Sequence, residues 1–355
     1  MKTSTKKGYN LFIVILFFSC FSFSQGLGEE SDRIKKDFKF IPLPYADYDI
    51  SSGYTVGFIP MTMFNPSKKD TISPSSIAGL FGMYSQNKSK FFMGFGMLYL
   101  KEDNYRVLFA GGLGDFNYQA YVNSPFSRWF NYNTGVDFFY ISAQKKIATN
   151  TYLGAHYEYT NYLTTIETNY SQKKQHQGLG VVGSFDKRDN IQYPRKGDFL
   201  EADIMIYPSF INQTGSSSKT TLKYNKYTAF RKNKDILASR VLVGLGFGEI
   251  TFNQQFIIGE TDIRGYSHGK YRGNHTIAIQ SEYRWNFHKT FGLVGFAGVA
   301  TIFEANNPND NGKILPGIGT GIRYNFLKDT HSNLGIDIAK GIDDWGLYFR
   351  ISEAF

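Results

Sequence analysis

Few residues in this chain stand in a pattern that could do chemistry, and the most pointed is an arginine set among glycines. Residues 258–275 read Ile-Gly-Glu-Thr-Asp-Ile-Arg-Gly-Tyr-Ser-His-Gly-Lys-Tyr-Arg-Gly-Asn-His, a polar stretch too long for a hairpin turn, with Ile263, Arg264, Gly265 and Tyr266 at its centre. A guanidinium is a planar, permanent cation that carboxylates grip through paired hydrogen bonds, and the glycine beside it can take backbone angles closed to other residues. The chemistry on offer is electrostatic anchoring. An arginine folded inward needs a counter-charge; Glu282 is the first candidate and Asp186 the second. The stretch also satisfies Gly-x-Ser-x-Gly from Gly265 to Gly269, but that pattern exposes a serine only on a strand-to-helix elbow, and no helix pattern follows. His156 and Glu158 share one face of an alternating segment with no evident nucleophile, so a solvated wall accounts for them. No catalytic residue, no metal and no cofactor is expected, since metal-ligand spacings, phosphate loops and dinucleotide fingerprints are all missing from the sequence.

The elements that must position Arg264 are strands. Tyr 25, Phe 33 and Gly 36 among 355 residues, with 19% charged, suit aromatic girdles and tight turns better than helices. From Phe38 onward the chain alternates in segments over 38–48, 53–64, 76–85, 90–100, 105–121, 134–147, 151–166, 176–186, 197–207, 220–231, 235–248, 275–287, 291–303, 313–326, 332–342 and 345–355. That is the signature of a transmembrane β-barrel of about sixteen antiparallel strands. Counted back from the C-terminus, short turns at 101–104, 148–150, 232–234 and 288–290 fall on one side and long connections at 122–133, 167–175, 208–219, 249–274 and 304–312 on the other; only 65–75 breaks the pattern. Ile277, Ile279, Tyr283, Trp285 and Phe287 would face lipid, and Gln280, Glu282, Arg284 and Asn286 a wet, charged lumen that could receive the loop. Gly317, Gly319 and Gly321 share a face of 313–326, which either makes room for that loop or curves the sheet. A soluble β-sandwich would alternate too, but so many strands behind a secretory signal make it the poorer account.

That signal occupies residues 1–24: Lys2, Lys6 and Lys7, an apolar run Leu11–Phe18, and Ser22 and Ser24 spaced for cleavage before Gln25. A lipoprotein anchor at Cys20 fits poorly after Phe17-Phe18-Ser19. Losing three lysines and no acid takes the formal charge from +9 to +6, a mild excess that suits anionic lipid head groups and does not argue for nucleic acid. Residues 25–37 are a short periplasmic lead and 38–355 the barrel. An even strand number places both termini in the periplasm.

The last strand, Trp345 to Phe355, sets Leu347, Phe349, Ile351 and Phe355 on one face and resembles the C-terminal signal of outer-membrane barrels, with Glu353 near the interface. Ile263-Arg264-Gly265-Tyr266 resembles the arginine-glycine-aromatic tip of the long extracellular loop that the BamA/TamA-like superfamily folds into its barrel, and five strands follow it. Asp186, Arg188, Asp189, Asn190, Pro194 and Gly197 resemble that family's acidic strand end and periplasmic turn. The chain is thus identified, over about 38–355, as a member of this superfamily of assembly and secretion barrels.

The resemblance implies insertion or translocation of proteins at the outer membrane without enzymatic chemistry, through a weakly paired seam that would join 38–48 to 345–355. The alternatives are a passive solute pore and a structural scaffold subunit of an outer-membrane complex. Two departures shape the expectation. Residues 25–37 cannot hold a periplasmic POTRA domain, so a member without POTRA domains is expected, with a separate partner delivering substrate. The family's acid in the strand after next is absent at Phe296-Ala297-Gly298-Val299-Ala300. Partners implied are outer-membrane lipid including lipopolysaccharide and other assembly or surface-complex proteins.

Overall fold

In the computed structural model the described residues are 38–49, 53–122, 128–166, 170–191, 193–212, 215–232, 234–259, 262–266, 270–305, 307–327, 332–351 and 353–355. The signal and lead expected at 1–24 and 25–37 lie outside them.

Alternation along each strand decides what faces out. In the strand Arg272–Trp285, Ile277, Ile279, Tyr283 and Trp285 are 40–49% exposed on the outer wall, while Gln280, Glu282 and Arg284 are buried inside. Leu200, Ile204 and Ile206 repeat the outward pattern. Continued around the chain, this gives one antiparallel array: β1 (Phe38–Asp49), β2 (Gly53–Phe64), β3 (Ser76–Ser85), β4 (Lys90–Leu100), β5 (Tyr105–Val122), β6 (Arg128–Ala148), β7 (Thr151–Ile166), β8 (Tyr170–Asp186), β9 (Gly197–Tyr207), β10 (Ser217–Phe230), β11 (Asp235–Gly248), β12 (Phe256–Ile257), β13 (Arg272–Trp285), β14 (Phe291–Ala305), β15 (Leu315–Leu327), β16 (Ser332–Lys340) and β17 (Trp345–Ile351). The two-residue β12 sits in a loop and pairs with the start of β13, so the wall has sixteen strands. Each wall strand pairs with its sequence neighbours, β11 joining β13 directly. β1 pairs with β2 and β17 with β16, and among the described residues these two edges come close without exchanging a hydrogen-bonded ladder. The barrel is nearly closed, with a seam.

The lumen is charged on one side, as expected, and departs from that expectation on the other. Along β1–β7 the inward positions carry Ile41, Leu43, Met61, Phe81, Phe91 and Phe138 in one buried apolar cluster, with the Phe91 and Phe138 rings stacked at 6.0 Å. In β2 both faces are apolar: Tyr54, Val56 and Phe58 point out while Ile59, Met61 and Met63 point in. Lipid and a dry core demand similar side chains, so hydropathy alone does not tell them apart.

The long connection 65–75 is pinned as a turn. The Asp70 carboxylate accepts from the Ile72 and Ser73 N–H groups, the Ser73 hydroxyl and the Glu102 N–H, which ties it to the neighbouring turn 101–104. Desolvation opposes ionisation of Asp70, but these donors outweigh it and hold the carboxyl well below its ordinary range.

The C-terminal face also departs from expectation. Trp345 and Phe349 face outward, and Ile351 pairs with Leu334, its side chain lying outside the described residues. β17 ends there, and 353–355 turn into the barrel instead of extending the lipid face. Phe355 is buried against Tyr227 and Ala238, with the Arg240 guanidinium 4.6 Å from its ring centroid. Glu353, expected near the interface, is buried among luminal arginines.

Candidate functional site

The stretch between β11 and β13 folds inward because its apolar residues find a seat there. Ile258, Ile263, Tyr266 and Tyr271 pack with Leu242, Ala278, Ala300, Ile302 and Leu315 of the surrounding wall. Two glycines allow the path. Gly259 and Gly265 have φ of +105° and +110°, and a Cβ at Gly265 would stand 2.7 Å from the Lys340 carbonyl carbon. The Asp262 carboxylate accepts from the Gly259 N–H at 3.0 Å, the Tyr348 hydroxyl accepts from the Gly265 N–H at 2.9 Å, and the Tyr266 hydroxyl donates to the Pro316 carbonyl at 2.6 Å. Ser267, His268 and Gly269 of the Gly-x-Ser-x-Gly pattern lie outside the described residues.

At the loop tip Arg264 is 2% exposed and lies over Phe296, its Cζ 3.3 Å from the ring centroid. It donates to Glu282 Oε2 at 2.6 Å, to Asp337 Oδ2 at 2.6 Å and to Gln280 Oε1 at 3.2 Å. The sheet register explains the meeting. Glu282 stands opposite Phe296, and Phe296 opposite Gly319; one row down, Arg284, Val294, Gly321, Asp337 and Tyr348 succeed one another across β13–β17. Glycine at 321 makes room for the acid: a Cβ there would lie 2.0 Å from Asp337 Oδ1. Likewise a Cβ at Gly317 would lie 2.4 Å from the Arg264 carbonyl oxygen, so this glycine seats the loop backbone itself. Gly319 lies under the Phe296 ring.

The pair belongs to a larger network. Arg284 donates to Glu282 Oε1 at 2.9 Å and to the Phe355 main-chain oxygen; Arg323 donates to Glu353 Oε2 at 2.8 Å and to Asp337; Arg350 donates to Asp337 Oδ2 at 2.9 Å. Each buried carboxylate thus meets more than one guanidinium, which is the condition under which buried charges stabilise. The network joins the loop, the five strands after it and the inturned C-terminal segment.

Of the two sequence candidates for the counter-charge, the structure brings Glu282 to Arg264 and keeps Asp186 away. Asp186 accepts from Arg188 at 2.8 and 2.9 Å and from Arg106 at 3.0 Å, near the short-turn end of the opposite wall, where Arg106 also holds Asp103. The reason is local: two positions past the strand end, Arg188 curls back onto Asp186. Asp189 Oδ1 then accepts from the Arg195 and Lys196 N–H groups, Asn190 Oδ1 accepts from the Tyr193 N–H, and Pro194 is buried. Gly197 closes the turn at φ +107°, where a Cβ would strike the Lys187 carbonyl oxygen. Asp337, absent from the sequence candidates, supplies the second acid from β16, two strands beyond the segment 296–300 where the family resemblance implies one.

His156 and Glu158 line a luminal cavity of about 220 Å³ with Tyr140, Asp203, Tyr207 and Lys219. His156 Nδ1 lies 3.1 Å from the Tyr140 hydroxyl and Nε2 3.3 Å from Asp203, and Glu158 accepts from Tyr207 at 3.4 Å.

Comparison with known proteins places this geometry. No curated protein matches the chain. BamA from Haemophilus ducreyi lacking POTRA domains 1–3 is similar at 12% identity and a TM-score of 0.57, over 90% of this chain and 70% of that one. CdiB from Escherichia coli gives 9% identity and a TM-score of 0.65, over 90% and 63%, and CdiB from Acinetobacter baumannii 13% and 0.57, over 90% and 60%. At such identities the likeness speaks to the fold. The chain spans between 60% and 70% of the length of these structures. A family model described as the Omp85 superfamily domain matches residues 78–336, most of the barrel wall. The chain therefore belongs to the Omp85 superfamily and is an integral outer-membrane β-barrel.

Proposed function

We propose that this barrel acts in the insertion or translocation of proteins at the outer membrane, and that it works at its seam without catalytic chemistry. The observation that carries this is the pair of edges: β1 and β17 face each other, and among the described residues no ladder joins them. An edge strand presents a row of unpaired N–H and C=O groups, and in hydrocarbon each such group costs several kcal/mol. An incoming strand that pairs with the edge relieves that cost. Packing in the lumen supports this reading over a solute pore: the inward loop occupies one side and the apolar cluster of β1–β7 another, leaving the cavity lined by His156 and Glu158. Pairing along an edge recognises main chain and not sequence, so selection of substrate falls to a separate partner that delivers it. Both termini and the short turns face the periplasm in this proposal, and Gln25 begins the mature chain.

The test is assembly of a client. With the barrel reconstituted in lipid vesicles, an unfolded outer-membrane β-barrel is the probe, and its conversion to a heat-modifiable folded form is the readout. Conversion should speed up in the presence of the barrel, stop when engineered cysteine pairs across β1 and β17 are oxidised, and return on reduction. Equal rates with the seam sealed and open would overturn the proposal.

A further inference from the structure

The two rims of the barrel differ in charge. At the end where β1 starts and β17 stops, the described turns hold the acids Asp70, Glu102, Asp103 and Asp189 and a larger set of basic residues, among which Lys69 lies in the β2–β3 turn, Lys101 in β4–β5, Lys187 and Lys196 in β8–β9, Lys232 in β10–β11 and Lys289 in β13–β14. All six are exposed, and among the described residues none lies within ion-pairing distance of a carboxylate. At the opposite rim the turns carry Glu249, Asp310, Asp343 and Asp344 against Lys88, Lys270 and Lys313, and the described part of the β9–β10 connection has no charge at all.

A belt of outward aromatics fixes the depth of the lysines. Phe38, Tyr105, Phe230, Trp285, Phe291 and Tyr324 are exposed near the short-turn ends of β1, β5, β10, β13, β14 and β15. Aromatic side chains settle at the head-group level of a membrane, so turns just beyond them lie among the phosphates. Two contacts join the layers: Lys101 Nζ is 5.4 Å from the Tyr105 ring centroid and Lys187 Nζ 5.8 Å from that of Phe185. The lysines stand in turn after turn along the rim and do not gather into one patch. That spacing suits a surface that surrounds the barrel, where a protein partner would meet a single sector.

We infer that the short-turn rim is a binding surface for anionic phospholipid head groups, with the lysine ammonium groups set against lipid phosphates in the leaflet on that side. The inference rests on the membrane barrel and not on its role in insertion, so it stands or falls separately from the seam.

The experiment compares lipid retention. The barrel is reconstituted in vesicles of phosphatidylcholine with phosphatidylglycerol, extracted in mild detergent, and its bound lipids are counted by native mass spectrometry. Each basic group near such a surface contributes a small favourable increment, so the parent should retain phosphatidylglycerol over phosphatidylcholine by about tenfold or more at low salt, and less as salt rises. The variant with Lys69, Lys101, Lys187, Lys196, Lys232 and Lys289 all changed to Gln should lose the preference to within about twofold. A control, Lys88→Gln with Lys173→Gln, should keep it. Heat-modifiable migration establishes that each variant is folded. Equal retention of both lipids by the parent, an unchanged preference in the six-lysine variant, or an equal loss in the control would overturn the inference.

Discussion

Removing Arg264 and removing Asp337 should not be equally harmful, although the two side chains share one hydrogen bond. In Arg264→Ala, Glu282 keeps Arg284 at 2.9 Å, and Asp337 keeps Arg323 and Arg350. No buried carboxylate is left without a cation. What is lost is a set of charge-assisted hydrogen bonds and the contact over Phe296, so the destabilisation belongs at the lower end of the range for breaking a buried pair, about 3 kcal/mol. In Asp337→Ala, Arg264 keeps Glu282 and Arg323 keeps Glu353, but Arg350 loses the carboxylate it donates to at 2.9 Å. Arg350 is partly buried, its side chain 19% exposed, and leaving it without a carboxylate puts this variant above Arg264→Ala, at about 4 kcal/mol. Arg264→Lys should rescue little, because an ammonium cannot reach Glu282, Asp337 and Gln280 with one planar fork. Urea unfolding followed by heat-modifiable migration gives the order, and limited proteolysis within 249–271 reports the loop. If Arg264→Ala matches the parent in both, the loop is not held by this network. If it proves more damaging than Asp337→Ala, the account of shared partners is wrong.

Gly317→Val should loosen the loop as Arg264→Ala does, since its Cβ falls 2.4 Å from the Arg264 carbonyl oxygen, and proteolysis of 249–271 should read this. Asp186→Ala leaves Arg188 without a carboxylate while Arg106 keeps Asp103, and should lower urea stability by about 3 kcal/mol while leaving protease resistance of 249–271 as in the parent. Phe355→Ala uncovers Arg240 and Tyr227 and should weaken the barrel by about 3 kcal/mol in the same unfolding assay, if the buried ring behaves as other core phenylalanines do. Mass spectrometry of the mature chain should find its N-terminus at Gln25, and acylation at Cys20 would refute the secretory signal proposed for 1–24.

The wall was legible because alternation is local: β13 shows Ile277, Ile279 and Tyr283 against Gln280, Glu282 and Arg284 within one strand. The inward loop was legible from its length and its glycines. Asp337 was not, since its meeting with Arg264 depends on the register of β14 and β15, and on glycines at 317 and 321 that the sequence left open between seating the loop and bending the sheet. Phe355 misled for the opposite reason. The alternation from Leu347 to Phe355 continues on paper, but β17 ends at Ile351, and Glu353 finds Arg323 inside the barrel. The dry cluster of β1–β7 was hidden because Met61 and Phe91 facing a core read like Phe58 and Phe92 facing lipid.

In the proposed function, substrate meets this protein at the β1 edge. A photo-crosslinking amino acid at Phe40, exposed on β1, tests it most directly when an unfolded outer-membrane β-barrel is added to the reconstituted protein and irradiated during its assembly. The account predicts adducts between position 40 and the client that appear and then disappear as the client folds, with none from a matched probe at Ile204 on the far wall. Equal capture at both positions, or capture at neither while the client still assembles faster, would contradict it.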